Sequence, residues 1–141
     1  MARQGSTDEL LADVPLFEGL SKEQLSQVAS LMTRVDLSAG KVLARQGEIG
    51  REFLILLDGE VEVERDGNVI AVRRSGEYVG EIALLDKRPR TATVTAKTDV
   101  VAEILNRAEF STLLADSPDL ANQIMATMAR RLAEMDDQSD V

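Results

Sequence analysis

The feature that most constrains the fold is an alternation of apolar and polar residues that runs from Val35 to Asn106. A period of two residues predicts β-strands that bury one face of a sheet. Glycines separate most of the alternating segments, which are VDL, KVLAR, EFLILLD, EVEVER, NVIAVR, TATVTA and DVVAEILN. Asp66-Gly67, between two of them, is typical of a two-residue hairpin turn. Many short strands at close spacing predict a β-sandwich or barrel.

Helical patterns precede this region. Residues 6–13, STDELLAD, predict a short helix. Ser21 begins the next helix, because Ser21 and Gln24 have the spacing of a capping box, in which each side chain bonds the backbone amide of the other residue. From Leu25 onward, apolar residues recur at helical spacing. We therefore expect N-terminal helices within residues 7–34.

Two further helices are predicted after the β region, over residues 107–136. RAEFSTLLA predicts a short one. Ser117 followed by Pro118 is typical of a helix start and predicts a long helix that ends near Met135. The last five residues, 137–141, are polar and predict a frayed tail.

The composition removes the usual parts of most enzymes. The chain has no cysteine and no histidine, so thiol nucleophiles, disulfides and thiolate metal sites are excluded and the commonest general base is missing. Glu60, Glu62 and Glu64 alternate with valines, which indicates the solvated face of a strand rather than a metal site. We therefore expect no catalytic residue, no metal and no cofactor, and a hydrolytic site built from Asp and Glu alone is the remaining enzymatic alternative.

The net charge of -9 argues against non-specific binding to nucleic acid and to anionic membranes, since both require an excess of Lys and Arg. No apolar run approaches the roughly 18 residues needed to span a bilayer. The first residues lack the apolar core of a signal peptide. We therefore expect a cytoplasmic, single-domain protein over residues 1–141, with no direct DNA binding and no membrane association.

One stretch interrupts the β region: VGEIALLDKRPRTATV, residues 79–94. Gly80 permits a positive φ, and a short helix that begins at Glu81 presents unpaired amide hydrogens to an anion. Pro89 ends any helix, and Arg90 begins the following strand and adds a planar guanidinium for a phosphate. These residues predict a phosphate-binding site.

Glu81 indicates what else the ligand carries. A carboxylate beside a phosphate repels it unless the carboxylate has another role, such as accepting a hydrogen bond from a ribose hydroxyl. Glu81 and Arg90 together therefore predict a ligand with a sugar hydroxyl and a phosphate. In the alternative interpretation, the two side chains pair with each other in a loop that binds nothing.

GEIALLDKRPRTATV closely resembles the phosphate-binding cassette of cyclic-nucleotide-binding domains, such as catabolite activator protein-like and protein kinase A regulatory subunit-like receptor domains. PLFEGLSKEQL resembles the N-terminal helical bundle of that family, and GKVLARQGEIGREFLILLDGEVEV resembles its first strands. The resemblance implies an eight-stranded antiparallel β-roll (jelly-roll-like, a double-stranded β-helix) over residues 35–106, with the cassette at 80–94. An N-terminal helical bundle and two C-terminal helices would flank it.

The resemblance also implies a ligand and its contacts. Glu81 would accept a hydrogen bond from the ribose 2′-hydroxyl, and Arg90 would bind the cyclic phosphate. In the family, a threonine directly after the arginine, here Thr91, often accompanies cyclic GMP binding, whereas small domains of bacterial type mostly bind cyclic AMP. Cyclic AMP is therefore favoured, with cyclic GMP as the alternative. The implied ligand-binding residues are Gly80, Glu81, Ile82, Ala83, Arg90 and Thr91, and the backbone of Ile82, Ala83 and Thr91 would complete the phosphate contacts.

The long C-terminal helix carries an apolar stripe with the spacing of a coiled-coil seam. Its members are Ala121, Met125, Met128, Leu132 and Met135. We consider three interpretations: a lid over the purine base, formed by Met128, Arg131 and Leu132; a homodimer seam; and a helix face packed on the barrel. Arg130 or Arg131 would stack on the purine in the first case and is otherwise solvated.

These observations predict a sensor module that binds a cyclic nucleotide reversibly and repositions its C-terminal helices to signal to an effector protein of unknown identity. The alternative is a ligand-free scaffold of the same fold that serves only in protein–protein interaction. Binding of cyclic AMP or cyclic GMP separates the two.

Overall fold

A computed structural model of the chain describes residues 3–139, and the side chains of residues 7–135. Contacts within the chain divide it into two compact units, where the sequence predicts one domain. Among the described residues, the helical unit consists of residues 3–30 and 112–139, and the β unit consists of residues 31–111.

Within the described residues, the β unit contains eight antiparallel strands. They are β1 Thr33–Leu37, β2 Val42–Ala44, β3 Glu52–Asp58, β4 Glu60–Arg65, β5 Asn68–Arg74, β6 Tyr78–Val79, β7 Thr93–Ala96 and β8 Val100–Asn106. One four-stranded sheet has the order β1-β8-β3-β6, and the other has the order β2-β7-β4-β5. This arrangement confirms the predicted antiparallel β-roll.

Three differences from the predicted strands exceed one residue at a strand end. β1 begins at Thr33 rather than at residue 35, because its pairing with β8 already starts there, opposite Ile104. β6 is too short to show an alternation and was missing from the predicted segments, although it pairs with β3. β7 begins at Thr93 rather than at Thr91. In each case the boundary depends on a partner strand that is distant in the sequence.

The apolar faces of both sheets supply the core of the β unit. Its buried members are Leu54, Leu56, Val61, Val94, Ala96, Val100 and Ala102. Leu54 and Leu56 lie on one face of β3, and the residues beside them, Phe53, Ile55 and Leu57, are also buried. Burying one such leucine stabilises the fold by about 1.5–3 kcal/mol.

The β4–β5 hairpin confirms the predicted turn. Arg65 pairs with Asn68, which leaves Asp66 and Gly67 as the two loop residues. Both have positive φ, 53° and 84°, as a type I′ turn requires. The side chain of Gln46 accepts a hydrogen bond from the Asp66 amide (2.9 Å) and donates one to the Asp66 carboxylate (2.8 Å).

The N-terminal part of the helical unit contains α1, Arg3–Ala12, a 3₁₀ turn, Pro15–Phe17, and α2, Lys22–Ser30. The capping box at the start of α2 is present. The Ser21 amide donates to the Gln24 side chain (2.9 Å), and the Gln24 amide donates to the Ser21 hydroxyl (3.1 Å). Residues 33 and 34, predicted as helical, belong instead to the strand that follows α2.

The C-terminal helices are α3, Arg107–Asp116, and α4, Pro118–Ser139. The helix α4 therefore includes 137–139 of the predicted tail, because no glycine or proline stops it there. Residues 140 and 141 of that tail lie outside the described residues. Among the helices described, none is both long and apolar enough to cross a membrane.

The buried face of α4 is not the predicted stripe. Leu120, Ile124 and Thr127 are buried. In contrast, Met125 and Leu132 are 61% and 64% exposed, and Met135 is similar. The interpretation of the stripe as a packed face is therefore wrong for these three residues, because α4 carries two apolar faces and the other one is buried.

Candidate ligand-binding site

The β unit contains an open cavity of about 460 Å³, a size typical of small-molecule sites. Strands β4 to β6 and the cassette, residues 80–94, contribute most of its lining. All six residues predicted to bind a ligand line it: Gly80, Glu81, Ile82, Ala83, Arg90 and Thr91. The structure therefore brings together residues that are up to eleven positions apart in the sequence.

Gly80 opens the cassette in a conformation that favours glycine. Its φ is 83°, in the left-handed region. A Cβ at this position would lie 2.8 Å from the Glu52 carbonyl oxygen and would also overlap the guanidinium of Arg90. Glycine is therefore required here for both backbone conformation and space.

Glu81 begins a four-residue 3₁₀ helix, Glu81–Leu84, which we call the cassette helix. The Ala83 amide donates to the Gly80 carbonyl (3.1 Å), and the amides of Leu85 and Asp86 both donate to the Ile82 carbonyl (3.0 Å each). Within the described residues, the amides of Ile82 and Thr91 have no such acceptor. Of the backbone donors predicted for a phosphate, Ala83 is thus already engaged.

The Arg90 guanidinium is half-buried beside the cassette helix. One of its nitrogens, Nη2, donates to the Glu52 carbonyl oxygen (2.7 Å). A Cβ at Gly50 would lie 2.7 Å from Arg90 Nε, so the side chain occupies space that only a glycine leaves open. A guanidinium has five N–H donors, and the bond to a neutral carbonyl uses one of them.

Burial sets the electrostatics of Arg90. Desolvation lowers the pKa of its guanidinium below the ordinary value, and the nearby Glu52 carboxylate opposes this shift. Because the ordinary value is so high, the side chain remains cationic at any physiological pH. A half-buried cation in a concave site attracts anions more strongly than a solvated one.

The backbone around Arg90 pairs with a loop and not with the sheet. The Arg90 amide donates to the Glu48 carbonyl (2.7 Å), and the Gly47 amide donates to the Arg90 carbonyl (2.8 Å). The Gly50 amide donates to the Arg88 carbonyl (3.2 Å). The prediction that Arg90 begins a strand is therefore wrong, because the 47–50 loop takes its hydrogen bonds and β7 starts three residues later.

Sequence reasoning missed several residues of the lining, among them Arg73 and Tyr78. They belong to β5 and β6, and their direction depends on how those strands pair. Arg88 also lines the cavity, but its guanidinium bonds the Asp86 carboxylate (2.6 Å). This ion pair offsets the positive potential that Arg88 would otherwise add to the cavity.

The predicted lid residues belong to the helical unit. Met128 is half-buried and Leu132 is mostly exposed. Arg131 Nη1 lies 3.6 Å from a carboxylate oxygen of Glu18, and Arg130 also pairs with Glu18. Since every residue that lines the cavity belongs to the β unit, the lid remains a prediction.

Comparisons with known proteins give a family match. The sequence model of the cyclic nucleotide-binding domain matches residues 34–117, more than half of the chain. The cAMP-dependent protein kinase regulatory subunit of Schizosaccharomyces pombe is 37% identical over 123 residues, which cover 86% of this chain and 30% of that protein. The CRP-like cAMP-activated global transcriptional regulator of Mycobacterium tuberculosis is 29% identical over 130 residues, which cover 89% and 58%. The chain thus spans less than two thirds of either relative.

A solved structure extends the likeness to the whole described fold. The N-terminal domain of a transcriptional regulator from Streptomyces coelicolor A3(2) matches with a TM-score of 0.84 and 34% identity. The match covers 95% of this chain and 97% of that one. With the cassette geometry and the family match, this likeness leads to one conclusion: the chain belongs to the cyclic nucleotide-binding domain family.

Proposed function

We propose that the chain binds a cyclic nucleotide reversibly in the β-unit cavity and acts as a sensor. The observation that carries the proposal is the half-buried guanidinium of Arg90, which lies against Gly50 and Gly80 at the edge of the cassette helix. A cation held in this way suits the cyclic phosphate, which is a monoanion. No catalytic step is proposed.

Each residue of the site has a role in this proposal. Arg90 donates its remaining N–H groups to the phosphate, and the amides of Ile82 and Thr91 add two neutral donors. Glu81 accepts a hydrogen bond from the ribose 2′-hydroxyl. Ala83 contributes its small buried side chain to the cavity wall. Its amide donates to the phosphate only if its hydrogen bond to the Gly80 carbonyl breaks.

Cyclic AMP is the favoured ligand. Both curated relatives are named for cAMP, one as a cAMP-dependent kinase subunit and one as a cAMP-activated regulator. Thr91 is exposed at the cavity and keeps cyclic GMP as the alternative, because its hydroxyl can accept a hydrogen bond from the guanine amine.

The signal would reach a partner through the C-terminal helices. A ligand shifts a conformational equilibrium only through different affinities for two states, so α3 and α4 must differ between the bound and the free state. The exposed stripe of α4 supplies a surface for this step, as a base lid or as a homodimer seam. We propose no direct contact with DNA, because the chain carries a charge of -9.

Calorimetric titration of cyclic AMP and cyclic GMP tests the proposal. We expect wild type to bind, with cyclic AMP binding more tightly. Arg90→Lys keeps the charge but loses the planar fork, and we expect affinity to fall about 10- to 100-fold, since a charge-assisted hydrogen bond contributes about 1.5–3 kcal/mol.

The matched control is Arg74→Lys, because Arg74 bonds Glu60 and does not line the cavity. Its affinity should equal that of wild type. No heat and no thermal shift with either nucleotide would indicate the ligand-free scaffold instead. Equal affinity of wild type and Arg90→Lys would show that the Arg90 guanidinium does not bind the phosphate.

A further inference from the structure

Arg107, the first residue of α3, bonds the cassette although it belongs to no cassette motif. Its Nη1 donates to the Gly50 carbonyl oxygen (2.6 Å) and to the Ala83 carbonyl oxygen (3.2 Å). Its backbone amide donates to the Arg51 carbonyl oxygen (2.9 Å). All of these residues lie in the β unit.

The carbonyl oxygens of residues 50–52 therefore accept hydrogen bonds from two arginines. Arg107 takes the carbonyl oxygens of Gly50 and Arg51, and Arg90 takes that of Glu52. The Arg90 side chain also occupies the space that a Cβ at Gly50 would take. A displacement of this short segment moves both guanidinium groups together.

Ala83 gives the second connection. It lies within the cassette helix, and its amide and its carbonyl are both engaged, the first by Gly80 and the second by Arg107. The bond to Ala83 is 0.6 Å longer than the bond to Gly50, so it is the weaker of the two. A shift of the cassette helix would break or strengthen this bond first.

We propose that Arg107 is a positioning residue. It holds the cassette helix beside Arg90 and transmits a displacement of that helix to the first turn of α3. Arg107 touches no ligand in this scheme. The inference rests on the proposed function, because the displacement to be transmitted is the one that a bound cyclic phosphate causes. It identifies the side chain through which the site would reach the C-terminal helices.

The test uses Arg107→Gln, Arg107→Lys and the control Arg34→Gln, which removes an arginine that pairs with Glu103 on the β1–β8 pair. Circular dichroism first establishes that each variant is folded. Amide hydrogen exchange is then measured in residues 81–86 and 107–116, without nucleotide and at saturating cyclic AMP, and calorimetry gives the affinities.

For Arg107→Gln we expect about tenfold weaker binding and severalfold faster exchange in residues 81–86 without nucleotide. At saturation, the change in amide hydrogen exchange that cyclic AMP causes in residues 107–116 should fall below about half of its wild-type size. Arg107→Lys should restore part of each effect, because an ammonium still reaches one carbonyl. Arg34→Gln should match wild type.

The inference is overturned if Arg107→Gln exchanges like wild type in residues 81–86 and keeps the full response in residues 107–116. A purely structural role would change stability and leave that response intact. If wild type binds neither nucleotide, the proposed function fails. The exchange of residues 81–86 without nucleotide then still decides whether Arg107 holds the cassette helix. Should the glutamine variant not fold, Arg107→Lys carries the same measurements.

Discussion

The cassette and α4 both carry residues that the sequence assigns to the ligand, but only the cassette residues line the cavity. In the cassette, all six assigned residues line one cavity. In α4, Met128 is half-buried, Arg131 lies near Glu18, and Leu132 is exposed. The difference teaches that a site built from backbone constraints follows from local sequence, whereas the role of a helix face depends on what packs against it.

The cause lies in the kind of constraint. Gly80 adopts a left-handed φ that few residues other than glycine tolerate, so its position in the chain is informative. The helix α4 instead has two apolar faces, one with Ile124 and one with Leu132. Because both faces carry apolar residues at helical spacing, periodicity alone cannot select between them.

The largest expected effect is that of Gly80→Ala. The left-handed backbone costs a non-glycine residue about 1–2 kcal/mol, and the added Cβ displaces the Arg90 guanidinium. We expect cyclic AMP affinity to fall at least about 100-fold, since two or more charge-assisted bonds are lost. Calorimetry measures the affinity, and thermal unfolding measures the stability.

Gly67→Ala is the matched control for this change. Its φ of 84° is nearly the same, but nothing lies within 4 Å of the added Cβ. It should lose the stability that the left-handed backbone costs, without the added clash, and should keep its affinity. If both variants lose affinity equally, the loss reflects backbone strain alone, and the space beside Arg90 is unimportant.

A smaller effect is expected for Glu81→Ala. Loss of the acceptor for the ribose 2′-hydroxyl should weaken cyclic AMP binding about tenfold. The 2′-deoxy analogue should bind wild type more weakly and should bind the variant as tightly as cyclic AMP does, because the same interaction is absent in both cases. Glu62→Ala, in β4 but outside the lining of the cavity, is the control. An additive loss in the variant with the deoxy analogue would assign Glu81 another role.

The smallest effect is expected on α4, where the comparison with the cassette can be sharpened. Leu132→Gln should change the free energy of unfolding by less than about 0.5 kcal/mol, because Leu132 is exposed. Ile124→Ala, on the buried face, should cost about 2–4 kcal/mol.

Sedimentation and calorimetry on Leu132→Gln then separate the interpretations of the stripe. A lower dimer fraction supports the seam, and a weaker cyclic AMP affinity supports the lid. A loss of stability as large as that of Ile124→Ala would show that the stripe is packed, contrary to its exposure.

Much of the site was predictable because its motif is contiguous. Gly80, Glu81 and Arg90 lie within eleven positions, and each has a property that a phosphate or a sugar requires. Arg107 was not predictable as part of the site. Its partners Gly50 and Ala83 lie 57 and 24 positions away, and nothing in RAEFSTLLA distinguishes this arginine from a solvated one.

The sequence by itself determined the features whose interactions close within about four residues. The capping box of Ser21 and Gln24, the Asp66-Gly67 turn and the left-handed Gly80 are of this kind, because bond geometry and short hydrogen bonds decide them.

Only the tertiary structure decided the position of Arg90 against Glu52, the two-residue strand β6 and the buried face of α4. The bond from Arg90 to Glu52 spans 38 positions, and β6 exists only as a partner of β3. Such contacts form when distant segments pack together, and a local sequence pattern does not specify which distant segment packs against it.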